Sequence, residues 1–267
     1  NPTLSLGGTA AEYPRDFVLN PMRWDSLVTV DAPLVFVGYG IVAPEYEWND
    51  YAGLDVKGKV VAVMVNDPGL HDSSTFKGKV LTYYARWTYK FEEAARQGAA
   101  GVLLIHTEES ATYPWGTVEG SATGRQVRLE SAPTSLKVTG WVQHDLMARA
   151  FKAAGADLDR AMAEAGKRGF VGSELPVRVA ASVRSTMTRT EIFNVLGRLP
   201  GNGGPLAKET VVLGAHYDHL VIAKPVDGDS IYNGARDNAA GVGEMLAIAE
   251  ALNRAELSGK RSIIFAA

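Results

Sequence analysis

The stretch Val211–Gly241, VVLGAHYDHLVIAKPVDGDSIYNGARDNAAG, decides how the carboxy-terminal part of this chain folds. It opens on an apolar run, VVLGA, that reads as a strand buried in a sheet. After its last residues, Val242, Met245, Leu246, Ala249 and Leu252 recur at helical spacing, so a helix starts beside Asp237 and should end near Gly259. RSIIFAA (261–267) reads as a second buried strand. The order strand, helix, strand predicts a right-handed parallel crossover, which places the carboxyl ends of both strands and the start of the helix on one rim. His216 and Asp218 leave the first strand at that rim, and Asp237 sits where the helix begins.

Ligands gather at such a rim in open α/β sheets, so these three residues are the candidates for chemistry. Residues two apart on extended backbone point the same way, so Asp218 can reach the His216 ring and fix its tautomer, as a carboxylate does behind a zinc-bound imidazole. A carboxylate at Asp237 can bridge two metal ions ~3.5–4 Å apart, and such a pair promotes hydrolysis. Each residue also has a structural reading. Asp immediately before a helix is a common N-cap. A lone HxD is compatible with a hydrogen-bonded histidine, and His219 reads either as another ligand or as an outward-facing loop histidine. His71, His106 and His144 have no ligand spacing to anything and receive no role.

Upstream, APLVFVGYGIV (32–42) and VVAVMVND (60–67) read as β-rich runs separated by a Gly, Asp and Asn loop. Tyr84, Trp87, Phe91 and Ala95 mark a helix over 83–97, and VLLIH after it marks a buried strand. The polar, Gly-rich stretch 109–133 reads as a long surface loop or hairpin carrying an exposed Trp115. Its length suggests a functional or contact role. Two Ala-rich helices are expected over 143–154 and 157–165, split at Gly155, with Asp157 capping the second. An alternating β pattern follows from 173, and the turn cluster PGNGGP (200–205) is expected to close a hairpin. These pieces predict a boundary near residue 190, a mixed α/β unit before it, and after it the opening of a β, α, β layer that one helix alone would leave bare on one face.

Bulk properties exclude several classes. With 46% apolar and 21% charged residues the chain is globular in composition, and its longest apolar run of six falls far short of the ~20 needed to cross a bilayer. A formal charge of −3 from 27 basic and 30 acidic residues gives no electrostatic reason to expect nucleic acid or an anionic membrane as partner. Without cysteine there is no disulfide, thiol nucleophile or thiolate metal site, so any metal must be held by His, Asp and Glu. FVGYGIV lacks GxGxxG spacing, GARDNAAGVGEM lacks the Lys and Ser or Thr of a phosphate loop, and no GxSxG elbow occurs.

Taken together, VVLGAHYDHL, IYNGARDNAAGVGEMLAIAEAL and RSIIFAA resemble the co-catalytic zinc aminopeptidase family, which also contains glutamate carboxypeptidase and catalytically silent receptor relatives. FVGYGIVAPEYEWNDYAGLDVKGKVVAVMVNDPG and YYARWTYKFEEAARQGAAGVLLIH resemble the protease-associated domain inserted in such enzymes. The resemblance implies an α/β fold: a β-rich, mixed protease-associated domain over 26–190, then the first part of a catalytic domain over 191–267 with a mostly parallel sheet, residues 1–25 being a remnant of that domain. It implies His216 and Asp237 as zinc ligands, Asp237 bridging two ions, and Asp218 as the catalytic carboxylate that orients His216. The activity it implies is zinc-dependent release of amino-terminal residues from peptides through a metal-bridging hydroxide; the alternative is a non-catalytic binding protein of the same architecture.

Arg236 and Ala240 depart from the family, standing where an acidic residue and a Ser are frequent. The family's Glu pair, which follows the strand resembling RSIIFAA, is not in this sequence. The chain is therefore expected to be the amino-terminal portion of a longer enzyme, inactive alone, whose partners are a peptide substrate and the remainder of the catalytic domain, with no nucleic acid and no membrane. A secreted or periplasmic location is expected from the same resemblance.

Overall fold

A computed structural model describes residues 1–129, 134–255 and 259–267, and the chain divides into two compact units between Met187 and Thr188. The fold is mixed α/β. In the first unit the apolar runs become the middle of an eight-stranded sheet. Its strands are β1 (Thr3–Leu6), β2 (Thr9–Ala10), β3 (Phe17–Pro21), β4 (Leu27–Phe36), β7 (Val60–Met64), β8 (Gly101–His106), β9 (Val138–Gln143) and β10 (Ser173–Arg184), with a separate small pair of β5 (Val42–Ala43) and β6 (Trp48–Asn49). The order is β2-β1-β10-β4-β7-β8-β9-β3. β4, β7, β8 and β9 pair parallel, and the flanking pairs are antiparallel.

Because successive side chains point to opposite faces, β7 supplies Val60, Ala62 and Met64 to one core and Val61 and Val63 to the other. Helices α4 (His144–Ala153) and α5 (Leu158–Ala165) cover the first face, and α1 (Trp87–Arg96) and α3 (Trp115–Ala122) cover the second. This explains why the central strands read as continuous apolar runs. Asp157 caps α5 as expected, accepting from the Arg160 amide at 2.8 Å.

Several expectations meet a different arrangement. The resemblance assigns residues 1–25 to the catalytic domain; here β1 pairs with β10 and β3 with β9, inside the first unit's sheet. The expected helix over 83–97 is interrupted at Arg86, whose extended backbone (φ −71°, ψ 140°) separates a short 3-10 turn from α1. The buried face of α1 is Tyr89, Lys90, Glu93 and Ala94, one step round from the apolar stripe legible in the sequence. The expected surface loop at 109–133 is largely helical in its first half, with a short helix α2 (Glu108–Ala111) before α3; residues 130–133 lie outside the described residues. Trp115 is half-buried: its indole donates to the Pro14 carbonyl at 3.1 Å and its ring meets His106 edge-on at 5.4 Å. Its contacts are those of a residue that fixes α3 to its own unit, and an exposed, free Trp115 is not what the structure contains.

The second unit is built from β11 (Leu196–Leu199), β12 (Thr210–Gly214), β13 (Val221–Val226), β14 (Asp229–Tyr232), α6 (Ala240–Arg254) and β15 (Ser262–Ala266). β15 lies between β11 and β12, parallel to β12 and antiparallel to β11. The expected hairpin at PGNGGP is therefore not formed. A 3-10 turn over Gly204–Lys208 follows those residues, and the Asn202 and Gly203 amides donate to Gly259 and Lys260. α6 packs on β12 with Met245 buried and Val242, Ala249 and Leu252 partly so, whereas Leu246 is 61% exposed. The two strands expected to be buried are only partly covered: Val212 is 62% exposed and Ile263, Ile264 and Phe265 are half-buried. A three-stranded sheet with one helix has too few layers to enclose both faces.

Candidate metal centre

β12 sets the position of His216. Gly214 is in register with Ala266, and the Ala215 amide donates to the Ala266 carbonyl at 3.0 Å, so His216 stands just past the last rung, at the rim where β15 also ends. From there the chain enters the β13–β14 hairpin, whose register pairs Val221 with Tyr232. Its two-residue turn is Asp227-Gly228, with φ of 52° and 84°; positive φ at both positions is what a tight hairpin turn matching strand twist requires. The hairpin thereby staples the segment after His216 to the segment before Asp237. At Gly234 (φ 65°) a Cβ would lie 2.9 Å from the His219 Cβ and 3.1 Å from the Asp237 carbonyl, so only glycine lets the two segments close.

The result is convergence. His216 Nε2 lies 2.9 Å from Asp237 Oδ1, and His219 Nδ1 lies 3.7 Å from Asp237 Oδ2. Asp218 does reach back, chiefly through its backbone: His216 Nδ1–H donates to the Asp218 carbonyl at 3.0 Å, with the carboxylate 3.4 Å away. The Asp218 carbonyl, ahead of the negative charges of Asp237 and Asp218, raises the His216 imidazolium above the ordinary histidine value against the opposing effect of desolvation. With Nδ1 so engaged, Nε2 is the nitrogen turned to Asp237.

Asp237 does not cap the helix. Its backbone is non-helical (φ −128°, ψ 81°), α6 begins at Ala240, and the side chain that accepts from a first-turn amide is Asn238, whose Oδ1 takes the Gly241 N–H at 3.2 Å. Ala239 occupies the N-cap position without a side-chain cap bond, and Asn238, one residue earlier, supplies the oxygen for the Gly241 amide. Asn238→Ala is expected to destabilise the protein by about 1 kcal/mol in chelator-containing urea unfolding while leaving metal uptake intact.

An imidazole nitrogen and a carboxylate oxygen are zinc donors, and their 2.9 Å separation is close to the ~3.3 Å that two ligands at ~2.0–2.1 Å span on a tetrahedral ion. The residues present thus fit part of a zinc site. They do not complete one: among the described residues no group of three or more His, Asp or Glu converges at ligand distance. His219 is better covered than the sequence suggests, with 23% of its side chain exposed against 49% for His216 and 70% for Asp237, so it is not outward-facing. His71, His106 and His144 belong to the other unit. Asn238, Gly234 and the Asp-Gly hairpin escaped the reading of the sequence, although Asp-Gly is a hairpin turn signal in its own right.

Residues 194–267 match the family model described as Peptidase family M28. No curated protein matches the chain in sequence. Similar solved structures include an aminopeptidase from Aneurinibacillus sp. strain AM-1, 18% identical, with all of this chain and 48% of that one covered at a TM-score of 0.37. Another is BSAP, a zinc aminopeptidase from Bacillus subtilis, 18% identical, with all of this chain and 47% of that one covered at a TM-score of 0.38. The chain spans about half the length of each. No helix among the described residues is long and apolar enough to cross a membrane.

Proposed function

We propose that this chain is part of a zinc-dependent exopeptidase that removes amino-terminal residues from peptides. The observation that carries the reading is the 2.9 Å approach of His216 Nε2 to Asp237 Oδ1 at the strand-end rim, in a segment with an M28 sequence, with helix capping left to Asn238. His216 would hold a zinc ion through Nε2, the Asp218 carbonyl and carboxylate hold its ring from behind, and Asp237 would supply carboxylate oxygen to the metal. Two bound zinc ions would supply polarisation of the scissile carbonyl and activation of a water. A catalytic zinc takes about three protein ligands, so His216 and Asp237 would supply only part of each ion's coordination. Residues 26–190 are read as the protease-associated domain on the motif likeness of the β7-α1-β8 segment. A secreted or periplasmic location rests on the same likeness alone.

Hydrolysis of an aminoacyl p-nitroanilide by the natural full-length protein tests this. Activity should vanish after chelation, return with zinc, and be absent on the N-acetylated substrate. A protein that takes up no metal and cleaves neither substrate is instead the non-catalytic binding protein of the same architecture.

A further inference from the structure

We propose that the segment from Lys77 to Trp87 is a docking surface for an acidic polypeptide segment that also carries apolar side chains. The proposal concerns the first unit alone and does not depend on the metal reading of the rim. Val80 is 66% exposed, Leu81 and Tyr83 are each 55% exposed and Trp87 is 44% exposed, an apolar concentration of the kind that marks interaction surfaces. Lys77, Lys79 and Arg86 are exposed among them. From Ser73 to Phe91 the sequence has no acidic residue, and among the described residues none of these three cations is in an ion pair. Glu92, which follows the stretch, is already engaged by the Tyr83 hydroxyl at 2.7 Å and by Arg96 at 4.0 Å.

The inward residues of the same segment hold it in place. Phe76 stacks on Tyr46 with ring centroids 4.6 Å apart, the Tyr84 hydroxyl donates to Glu45 at 2.6 Å, and the Thr82 hydroxyl donates to the buried Asp67 at 2.6 Å. The Ala85 carbonyl accepts the Asn66 amide at 3.1 Å, which ties the segment to the chain just beyond β7. Leu81, Tyr83, Arg86 and Trp87 are thus presented on an ordered frame, and a partner has little of it to immobilise. Trp, Tyr and Arg are the side chains that carry most binding energy at interfaces, and a guanidinium fork matches a carboxylate. Three cations without carboxylates of their own call for an acidic partner, and the apolar side chains between them call for apolar contacts from it. The chain's formal charge of −3 opposes approach to a broad anionic lipid surface more than to a short acidic segment.

The test uses the natural full-length protein in chelator and a peptide in which Glu alternates with Leu and Phe, followed by fluorescence anisotropy. Two control peptides carry Gln or Lys in place of Glu, and all three are N-acetylated and labelled at the carboxyl end. The expected result is saturable binding of the Glu peptide, at least about 10-fold weaker binding of the Gln peptide and none of the Lys peptide. Lys77→Glu combined with Lys79→Glu, and separately Leu81→Ser, should each weaken binding about 10-fold or more while leaving the melting temperature unchanged. Absence of saturable binding, equal affinity for the Glu and Gln peptides, or equal affinity in the parent and both variants would overturn the proposal. So would sedimentation with phosphatidylserine vesicles that the variants lose while the Glu peptide stays unbound, which marks a lipid surface. A concentration-dependent dimer that Leu81→Ser abolishes, again with the Glu peptide unbound, would make a second copy of the chain the occupant and overturn it as well.

Discussion

Asp237→Asn should reduce kcat/KM by more than about 100-fold and remove at least one bound ion, while leaving the stability of the chelated protein unchanged. The magnitude follows from comparison: losing a residue that merely supports a metal ligand costs about 10–100-fold, and a bridging ligand contributes more directly. The choice of Asn makes the experiment discriminating. Asn and Asp are equivalent N-caps, so a residue whose task is to cap α6 would tolerate the change without effect on either property. The structure assigns capping to Asn238 and turns the Asp237 carboxylate towards His216 at 2.9 Å, which predicts the opposite. Full activity and full metal content in Asp237→Asn would remove the carboxylate from the mechanism.

Lys90→Ala should destabilise the first unit by about 3–5 kcal/mol in urea unfolding, the range for breaking a buried charged pair. Lys90 is fully buried on α1, its ammonium donating to the Asn66 carbonyl at 2.8 Å beside the rings of Tyr39 and Tyr89, with the buried carboxylates of Asp50 and Asp67 supplying opposite charge. Burial pulls Lys90 down to about 7 and pushes Asp50 up to about 7, in each case against their mutual attraction. Removing the cation leaves the desolvation of Asp50 opposed by its hydrogen bonds, including those from the Ile41 amide and the Trp48 indole, without a buried positive charge. Its proton is then held more tightly in the folded than in the unfolded state, so the variant loses stability as pH rises from the ordinary carboxyl value of 3.8 through about 7 and beyond. The variant's deficit should be smaller at pH 5 than at pH 8, and Asp50→Asn in the same background should recover part of it. A deficit under about 1 kcal/mol that does not vary with pH would show that the pair contributes no more than an exposed one.

What could be read in the sequence was local. His216 after VVLGA and the punctuation at Gly155 and Asp157 depend on residues within a few positions of one another, where backbone preference dominates, and the parallel pairing of VVLGA with SIIFA followed from the strand, helix, strand order. The insertion of β15 between β11 and β12 was not legible, because a turn cluster signals only a reversal and partner choice is set by pairing some 60 residues away. Burial misled in both directions. Val212 is apolar yet exposed because its sheet has one helix to cover it, and Lys90 is charged yet buried because Asn66, Asp50 and Asp67 receive it. The stretch at 109–129 looked like a loop on account of its Gly and Ser content, but Val118 and the Trp115 indole find apolar and hydrogen-bonding partners, and tertiary packing overrides weak helix propensity. At the rim, the sequence named His216 and Asp237 but could not say that Asn238 rather than Asp237 caps α6, since the two residues are adjacent and chemically equivalent in that role.

The most direct test is an anomalous-scattering map, recorded at the zinc edge, of crystals of the natural full-length protein grown with zinc. The account predicts two ions ~3.5–4 Å apart, each bonded to one oxygen of Asp237, with His216 Nε2 ~2.0–2.1 Å from one of them and its Nδ1 still on the Asp218 carbonyl. A map without anomalous density at this rim, or with Asp237 turned onto the first amides of α6, would contradict it.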